Sequence, residues 1–196
     1  MADKIIPRWE WRTFGESFGE AENRIKALAG DSVRKSTEKY ILSAKSNENC
    51  KIRDDLMDVK SLQQVNEDKL EQWYPTLKEG FPIGKQSIRT LFTEYFKVAV
   101  PELPQEEYTY QEFLDLVSKQ PDLVIVDVTK ERFICTINGA TVEVANATFN
   151  GVPDRTVCVE HIDPALVIST VRELGLENHK NMNYIYAMKR AVGLKV

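Results

Sequence analysis

The pattern of apolar and polar positions changes period twice along the chain. Residues 7–14, PRWEWRTF, alternate and predict a strand. Residues 19–29, GEAENRIKALA, set Ile25 and Leu28 among helix formers, and Gly30 ends a short helix there. Residues 36–46 are strand-like. After the turn Asn47-Glu48-Asn49, residues 50–54 and 56–62 predict a hairpin around Asp54-Asp55. Residues 66–77 are polar, with Leu70 and Trp73 three apart, and are expected to form a helical turn and a loop.

The period then becomes helical. In residues 85–99, Ile88, Leu91, Phe92, Tyr95 and Phe96 keep one face, and Pro101 and Pro104 stop the helix. Thr109 caps a second helix over 110–119, with Phe113, Leu114 and Val117 inward. From Leu123 the period returns to two. LVIVDVTK, RFICTI, ATVEVANATF and RTVCVEHI predict four strands, with Asn138-Gly139 and Asn150-Gly151 as turns. A helix over 164–174 opens on Pro164 and ends before Gly175, and a last one covers roughly 181–192. About eight strands joined mostly by short turns favour antiparallel pairing. The expected fold is α+β: an eight-stranded antiparallel β-barrel with helices packed outside, as a single domain over 1–196.

Charge narrows the function. Lys and Arg number 26 against 30 Asp and Glu, so the net charge of −4 gives no global field for DNA. An anion site must therefore be a local concentration of cations. Cys50, Cys135 and Cys158 are isolated, without a CxxC, and are expected as reduced thiols in a cytoplasmic protein. MADKIIPRWEW lacks the apolar stretch of a signal peptide, and no run reaches the roughly eighteen apolar residues of a membrane span.

The charges themselves alternate. Strand residues two apart share a face. Arg8, Glu10 and Arg12 oppose Trp9 and Trp11; Lys51 and Arg53 oppose Cys50 and Ile52; Asp58 and Lys60 oppose Met57 and Val59. Lys130 and Arg132 repeat the pattern opposite Phe133, and Glu143 and Glu160 lie among valines. One reading is a sheet with a solvated face. The other is a barrel interior lined with cations, its carboxylates gathered in one place. Two like charges ~6 Å apart repel by roughly 3 kcal/mol at an effective dielectric of about 20, so such an interior calls for a highly charged anion. A polyphosphate fits Arg and Lys donors, and the glutamates would hold Mg2+ or Mn2+.

In order, EWR at 10–12, KIR at 51–53, DVK at 58–60, KERF at 130–133, VEV and VCVEH resemble the strands of CYTH-domain proteins, the triphosphate tunnel metalloenzymes. The resemblance runs from about Pro7 to Gly193. It implies an eight-stranded antiparallel tunnel, and an activity like that of tripolyphosphatases, thiamine triphosphatases, RNA triphosphatases or a class of adenylate cyclases. The family opens on Glu-x-Glu-x-Lys; here the strand is Arg8-Trp9-Glu10-Trp11-Arg12, with Arg8 in place of the first acid. The resemblance implies Glu10, Glu143 and Glu160 as catalytic and metal-holding carboxylates. It implies Arg8, Arg12, Lys51, Arg53, Lys60, Lys130, Arg132 and Arg155 as cations for a triphosphate-containing small molecule, although strict alternation turns Arg155 away from Glu160. The expected reaction is metal-assisted attack of water on a terminal phosphoryl group, with cyclase-type chemistry on ATP or binding without turnover as alternatives. His161 and His179 lack zinc-ligand spacing, and FPIGKQS lacks Walker spacing. Glu38 enters the interior if the register allows, and Trp73 is expected as packing.

Overall fold

The structure is a computed structural model that describes residues 6–195, so the first residues of MADKIIPRWEW lie outside it. The strands are β1 (Trp9–Phe14), β2 (Val33–Ser43), β3 (Asn49–Arg53), β4 (Leu56–Val65), β5 (Glu71–Gly80), β6 (Ile83–Gly84), β7 (Glu107–Tyr108), β8 (Leu123–Ile137), β9 (Ala140–Phe149) and β10 (Val152–His161). The helices are α1 (Gly19–Ala29), α2 (Lys85–Thr90), α3 (Tyr110–Ser118), α4 (Pro164–Glu173) and α5 (Tyr184–Ala191). Eight strands close in the order β1-β10-β9-β8-β2-β3-β4-β5, and β6 pairs with β7 separately. This is the antiparallel barrel with outer helices that the alternating segments predicted.

Two boundaries differ from expectation. Residues 66–77 are a turn and the start of β5, not a helical turn and loop. Leu70 and Trp73 are three apart by coincidence. Leu70 closes the hairpin turn, its N–H donating to Asn66 Oδ1 at 2.8 Å, while Trp73 already belongs to the strand. LVIVDVTK and RFICTI are one continuous 15-residue strand, because Glu131 between them supplies no turn chemistry. The two corrections cancel in the strand count. The helix begun at Lys85 also widens by one residue: Leu91–Tyr95 is a π-helical turn, with Phe96 N–H donating to Leu91 C=O at 2.8 Å.

The chain divides into two compact units. The first contains the described residues up to Ser36, Leu62–Tyr74 and Thr129–Tyr184. Its core joins Trp11 of β1 and Phe18 to Ala21 and Ile25 of α1, Val142 and Val144 of β9, Val157 and Val159 of β10, and Val167 and Val171 of α4. Ile25 is fully buried, so Ile25→Ala would cost about 2–5 kcal/mol. The apolar residues of β1, β9 and β10 therefore face helices. In a closed sheet the alternate residues face inward.

The second unit contains Thr37–Ser61, Pro75–Val128 and the described residues from Ile185. Here Ile41, Cys50, Ile52, Met57 and Val59 of β2–β4 pack with Ile88 of α2, Leu91, Phe92, and Phe113 and Val117 of α3. Thr109 caps α3 as expected, and Glu112 completes a capping box. Asn138 and Gly139 have φ of 52° and 88°, and Asn150 and Gly151 have 50° and 81°, the conformation of two-residue hairpin turns. No helix among the described residues is long and apolar enough to cross a membrane.

Candidate active site

In the first unit the register of three adjacent strands gathers the charges. Glu10 lies opposite Glu160 and Arg12 opposite Cys158 across β1 and β10. Cys158 in turn lies opposite Glu143, and Glu160 opposite Thr141, across β10 and β9. All share the face turned away from α1 and α4.

Arg12 is the hub of this group and only 6% exposed. Its Nε donates to Glu10 Oε1 at 2.8 Å, and its Nη1 to Thr156 Oγ1 at 3.3 Å and Glu143 Oε1 at 3.5 Å. Its guanidinium lies 4.5 Å from the centre of the Tyr184 ring, and Lys130 Nζ lies 4.2 Å from the same centre. Tyr184 packs on Phe14 and Phe149, which share the inward face of β1 and β9. The segment before α5 is pinned to β1, since Arg12 N–H donates to Asn181 Oδ1 at 2.9 Å and Met182 N–H to Arg12 C=O at 2.6 Å. A cation buried this deeply persists because carboxylates and a ring face surround it.

Glu10, Cys158 and Glu160 bring a ligand atom each within 4.8 Å of one another. Burial pushes the Glu160 carboxyl up to about 7, the charge of Glu10 adds to this, and Arg12 opposes it. The Cys158 thiol is pushed well above its usual range, first by burial and against the pull of Arg12. Glu143 is bonded to Arg12 rather than to this trio. Arg8 Nη1 lies 3.8 Å from Glu160 Oε2 and 3.5 Å from Thr141 Oγ1, with its side chain 56% exposed. Arg132 is two residues from Lys130 on β8, and its buried Nε has no hydrogen-bond partner among the described residues.

Arg155 lies elsewhere. It opposes Asn146 on the helix-facing side, donating Nη1 to Glu22 Oε2 of α1 at 3.0 Å and Nε to Asn146 Oδ1 at 3.2 Å. Strand alternation holds through β10 without a bulge, so Arg155 is not among the charges grouped with Glu160.

Glu71 is a further carboxylate that sequence reasoning missed. It is the Cα partner of Glu10 across β1 and β5. It accepts from Trp73 Nε1 at 3.0 Å and from Asn183 Nδ2 at 3.0 Å, and burial together with Glu10 raises its pKa. Reading 71–80 as a strand would have placed Glu71 and Trp73 on one face. His161 accepts from the backbone N–H of Asp163, and His179 packs on Phe18.

In the second unit, Lys51 of β3 lies opposite Asp58 of β4, with Nζ 4.0 Å from Asp58 Oδ2. Arg53 Nη1 donates to Glu38 Oε1 at 3.4 Å, and Glu38 is almost wholly buried. Glu38 thus shares the charged face. Lys60 follows Asp58 by two residues, opposite Asn49. Burial lowers the Lys51 pKa, while Glu38 and Asp58 raise it. Cys50, Ile52, Met57 and Val59 point the other way, into this unit's core.

No protein-family model matches the chain, and no curated protein matches it. Solved structures do. A conserved hypothetical protein from Pyrococcus furiosus is 13% identical, with a TM-score of 0.50 over 91% of this chain and 98% of that one. A Hippeastrum protein assigned as an adenylyl cyclase, which reveals a dominant triphosphatase activity, is 10% identical, with a TM-score of 0.50 over 94% of this chain and 96% of that one. At these identities the likeness is one of fold. The chain has the CYTH, or triphosphate tunnel, fold.

Proposed function

We propose that the chain is a metal-dependent hydrolase of a triphosphate, inorganic or organic, working in the cytoplasm as one functional domain. The observation that carries this reading is the group on β1 and β10: opposed Glu10 and Glu160, with Arg12 hydrogen-bonded to Glu10, on the inward face of a closed barrel. The activity given for the Hippeastrum protein of the same fold supports the choice of a triphosphate.

Two carboxylates and a thiol with converging donor atoms suit a divalent cation. Glu10 and Glu160 would hold Mg2+ or Mn2+, with Glu143 kept in place through Arg12. Such an ion supplies charge neutralisation on phosphoryl oxygens and lowers the pKa of water. The chain's own residues do the rest. Arg8, Arg12, Lys130 and Arg132 in the first unit bind the equatorial oxygens and hold the terminal phosphorus for attack; Lys51, Arg53 and Lys60 in the second unit are a cation group of their own, suited to phosphate oxygens. Arg132 Nε, buried without a partner among the described residues, is a donor that a phosphate oxygen would satisfy. Arg155, committed to Glu22, is left out of this set.

A second reading, binding without turnover, is favoured by Arg8 alone, whose guanidinium sits beside Glu160 where the resembled motif has an acid. Phosphate release from tripolyphosphate, ATP and thiamine triphosphate, with Mg2+ or Mn2+ and in EDTA, separates the two. The hydrolase reading expects metal-dependent release, reduced at least about tenfold by Glu10→Ala or Glu160→Ala. Release equal to a no-protein control, with binding that persists in EDTA, supports the binder instead. Cyclic AMP formed from ATP would mark the cyclase chemistry.

A further inference from the structure

Cys158 is a small residue in an unusual place. A buried cysteine normally serves as an apolar filler among apolar neighbours. Cys50 does so, packed with Ile52, Met57 and Val59. Cys158 is as deeply buried, at 2% exposure, yet its surroundings are charged. Arg12 and Glu143 are its cross-strand partners, and Glu10 and Glu160 complete the ring around it. Its thiol is directed at a carboxylate, with Sγ 3.6 Å from Glu160 Oε1. Val157 and Val159 carry the strand's apolar packing on the other face, so Cys158 is not needed there.

What a thiol offers here, and Ala or Val would not, is a donor atom. The ligand atoms of Glu10, Cys158 and Glu160 lie within 4.8 Å of one another. Ligands of a four-coordinate ion with bonds of about 2.0–2.3 Å are roughly 3.5 Å apart, so small side-chain adjustments close the set. Sulfur donors favour softer ions, whereas Mg2+ prefers oxygen alone.

We propose that Cys158 is a metal ligand and that, with Glu10 and Glu160, it gives this centre a preference for thiophilic divalent ions such as Co2+ and Zn2+ over Mg2+. The inference rests on the reading that Glu10 and Glu160 hold a divalent ion. As the sulfur–metal bond forms, the thiol proton leaves to solvent, so no other reactant is required. Mn2+, softer than Mg2+, becomes the better of the two ions expected from the glutamates.

The test titrates Co2+ into the reduced full-length chain and follows the near-ultraviolet band of thiolate-to-cobalt charge transfer, with Zn2+ and Mg2+ affinities from calorimetry. The wild type is expected to develop the band to saturation, and Cys135→Ser to leave it unchanged. Cys158→Ser is expected to abolish it and to weaken Zn2+ binding at least about tenfold, with Mg2+ affinity shifted less than about twofold. Serine keeps a hydrogen-bond donor toward Glu160, so a thiol that only positions that carboxylate would leave Zn2+ affinity unchanged, and that result overturns the proposal. A wild type that binds Mg2+ without developing the Co2+ band also overturns it, leaving a carboxylate-only centre. A wild type that binds no divalent ion removes the metal-dependent reading as well. Cys158→Ala, with melting curves in EDTA for every variant, separates lost ligation from lost folding.

Discussion

Glu10 and Glu160 are Cα partners across β1 and β10, and Arg12 reaches back along its own strand to hold Glu10 at 2.8 Å. Two acids placed opposite each other repel, and burial makes each charge dearer. The arrangement is stable because Arg12 is hydrogen-bonded to Glu10 and to Glu143 and is covered by the Tyr184 ring.

Removing Arg12 should therefore cost more than the bonds it makes. Arg12→Met is expected to lower stability to urea by about 1–3 kcal/mol, because it leaves two half-buried carboxylates without their cation. Adding Glu10→Gln to that background should recover part of the loss. Equal losses in the single and double variants would show that the pair is not coupled.

Tyr184 serves two cations with one ring. Tyr184→Phe keeps the ring face and is expected to bind tripolyphosphate like the wild type. Tyr184→Leu removes roughly 0.5–2 kcal/mol of attraction for each cation and should weaken binding by about fivefold or more. Calorimetry well below the melting temperature of each variant measures this. Leucine and phenylalanine variants of equal affinity would exclude the role.

The cations of the two faces should respond differently. Lys51→Ala and Lys60→Ala each remove a charge-assisted hydrogen bond and are expected to raise the tripolyphosphate dissociation constant by about tenfold. Arg155→Ala acts on the helix side, through Glu22, and is expected to lower the melting temperature while leaving the dissociation constant unchanged. A large affinity loss in Arg155→Ala would contradict the assignment of faces.

The outer network also sets part of the acid stability. Burial would raise the Glu22 pKa, but the hydrogen bond and charge of Lys26 and the charge of Arg155 outweigh it and hold the carboxyl below 4.5. A depressed carboxyl stabilises the fold above its unfolded pKa, and that contribution is lost as pH falls through the folded value. Glu22→Gln should therefore be less stable than the wild type near neutrality, with the difference shrinking below about pH 4.5. A stability difference independent of pH would rule out the ion pairs as its source.

The barrel was legible because the alternation is strong where one face packs on helices. Trp9 and Trp11, Cys50 and Ile52, and Val157 and Val159 each imply a charged opposite face, and the structure places them so. β5 was not legible. Its first residues, Glu71-Gln72-Trp73-Tyr74, carry no small polar–apolar alternation, and the turn residue Leu70 mimicked a helical period. Glu71 was lost with it. The grouping of Glu10 with Glu160 depends on cross-strand register, which no local pattern specifies. Cys158 was visible in VCVEH but reads as apolar filler until its neighbours are known to be charged. Arg155 shows the converse: a cation in a matching strand whose alternation assigns it to the outer face.

The central claim is that the inward-facing cations exist to hold a highly charged anion. Equilibrium unfolding with and without tripolyphosphate tests it most directly. At about a hundred times the dissociation constant the anion is expected to add roughly 2.7 kcal/mol of stability, and Lys51→Ala to shift the saturation curve to higher concentration. No stabilisation by tripolyphosphate or any nucleoside triphosphate, with or without Mg2+ or Mn2+, would contradict the account.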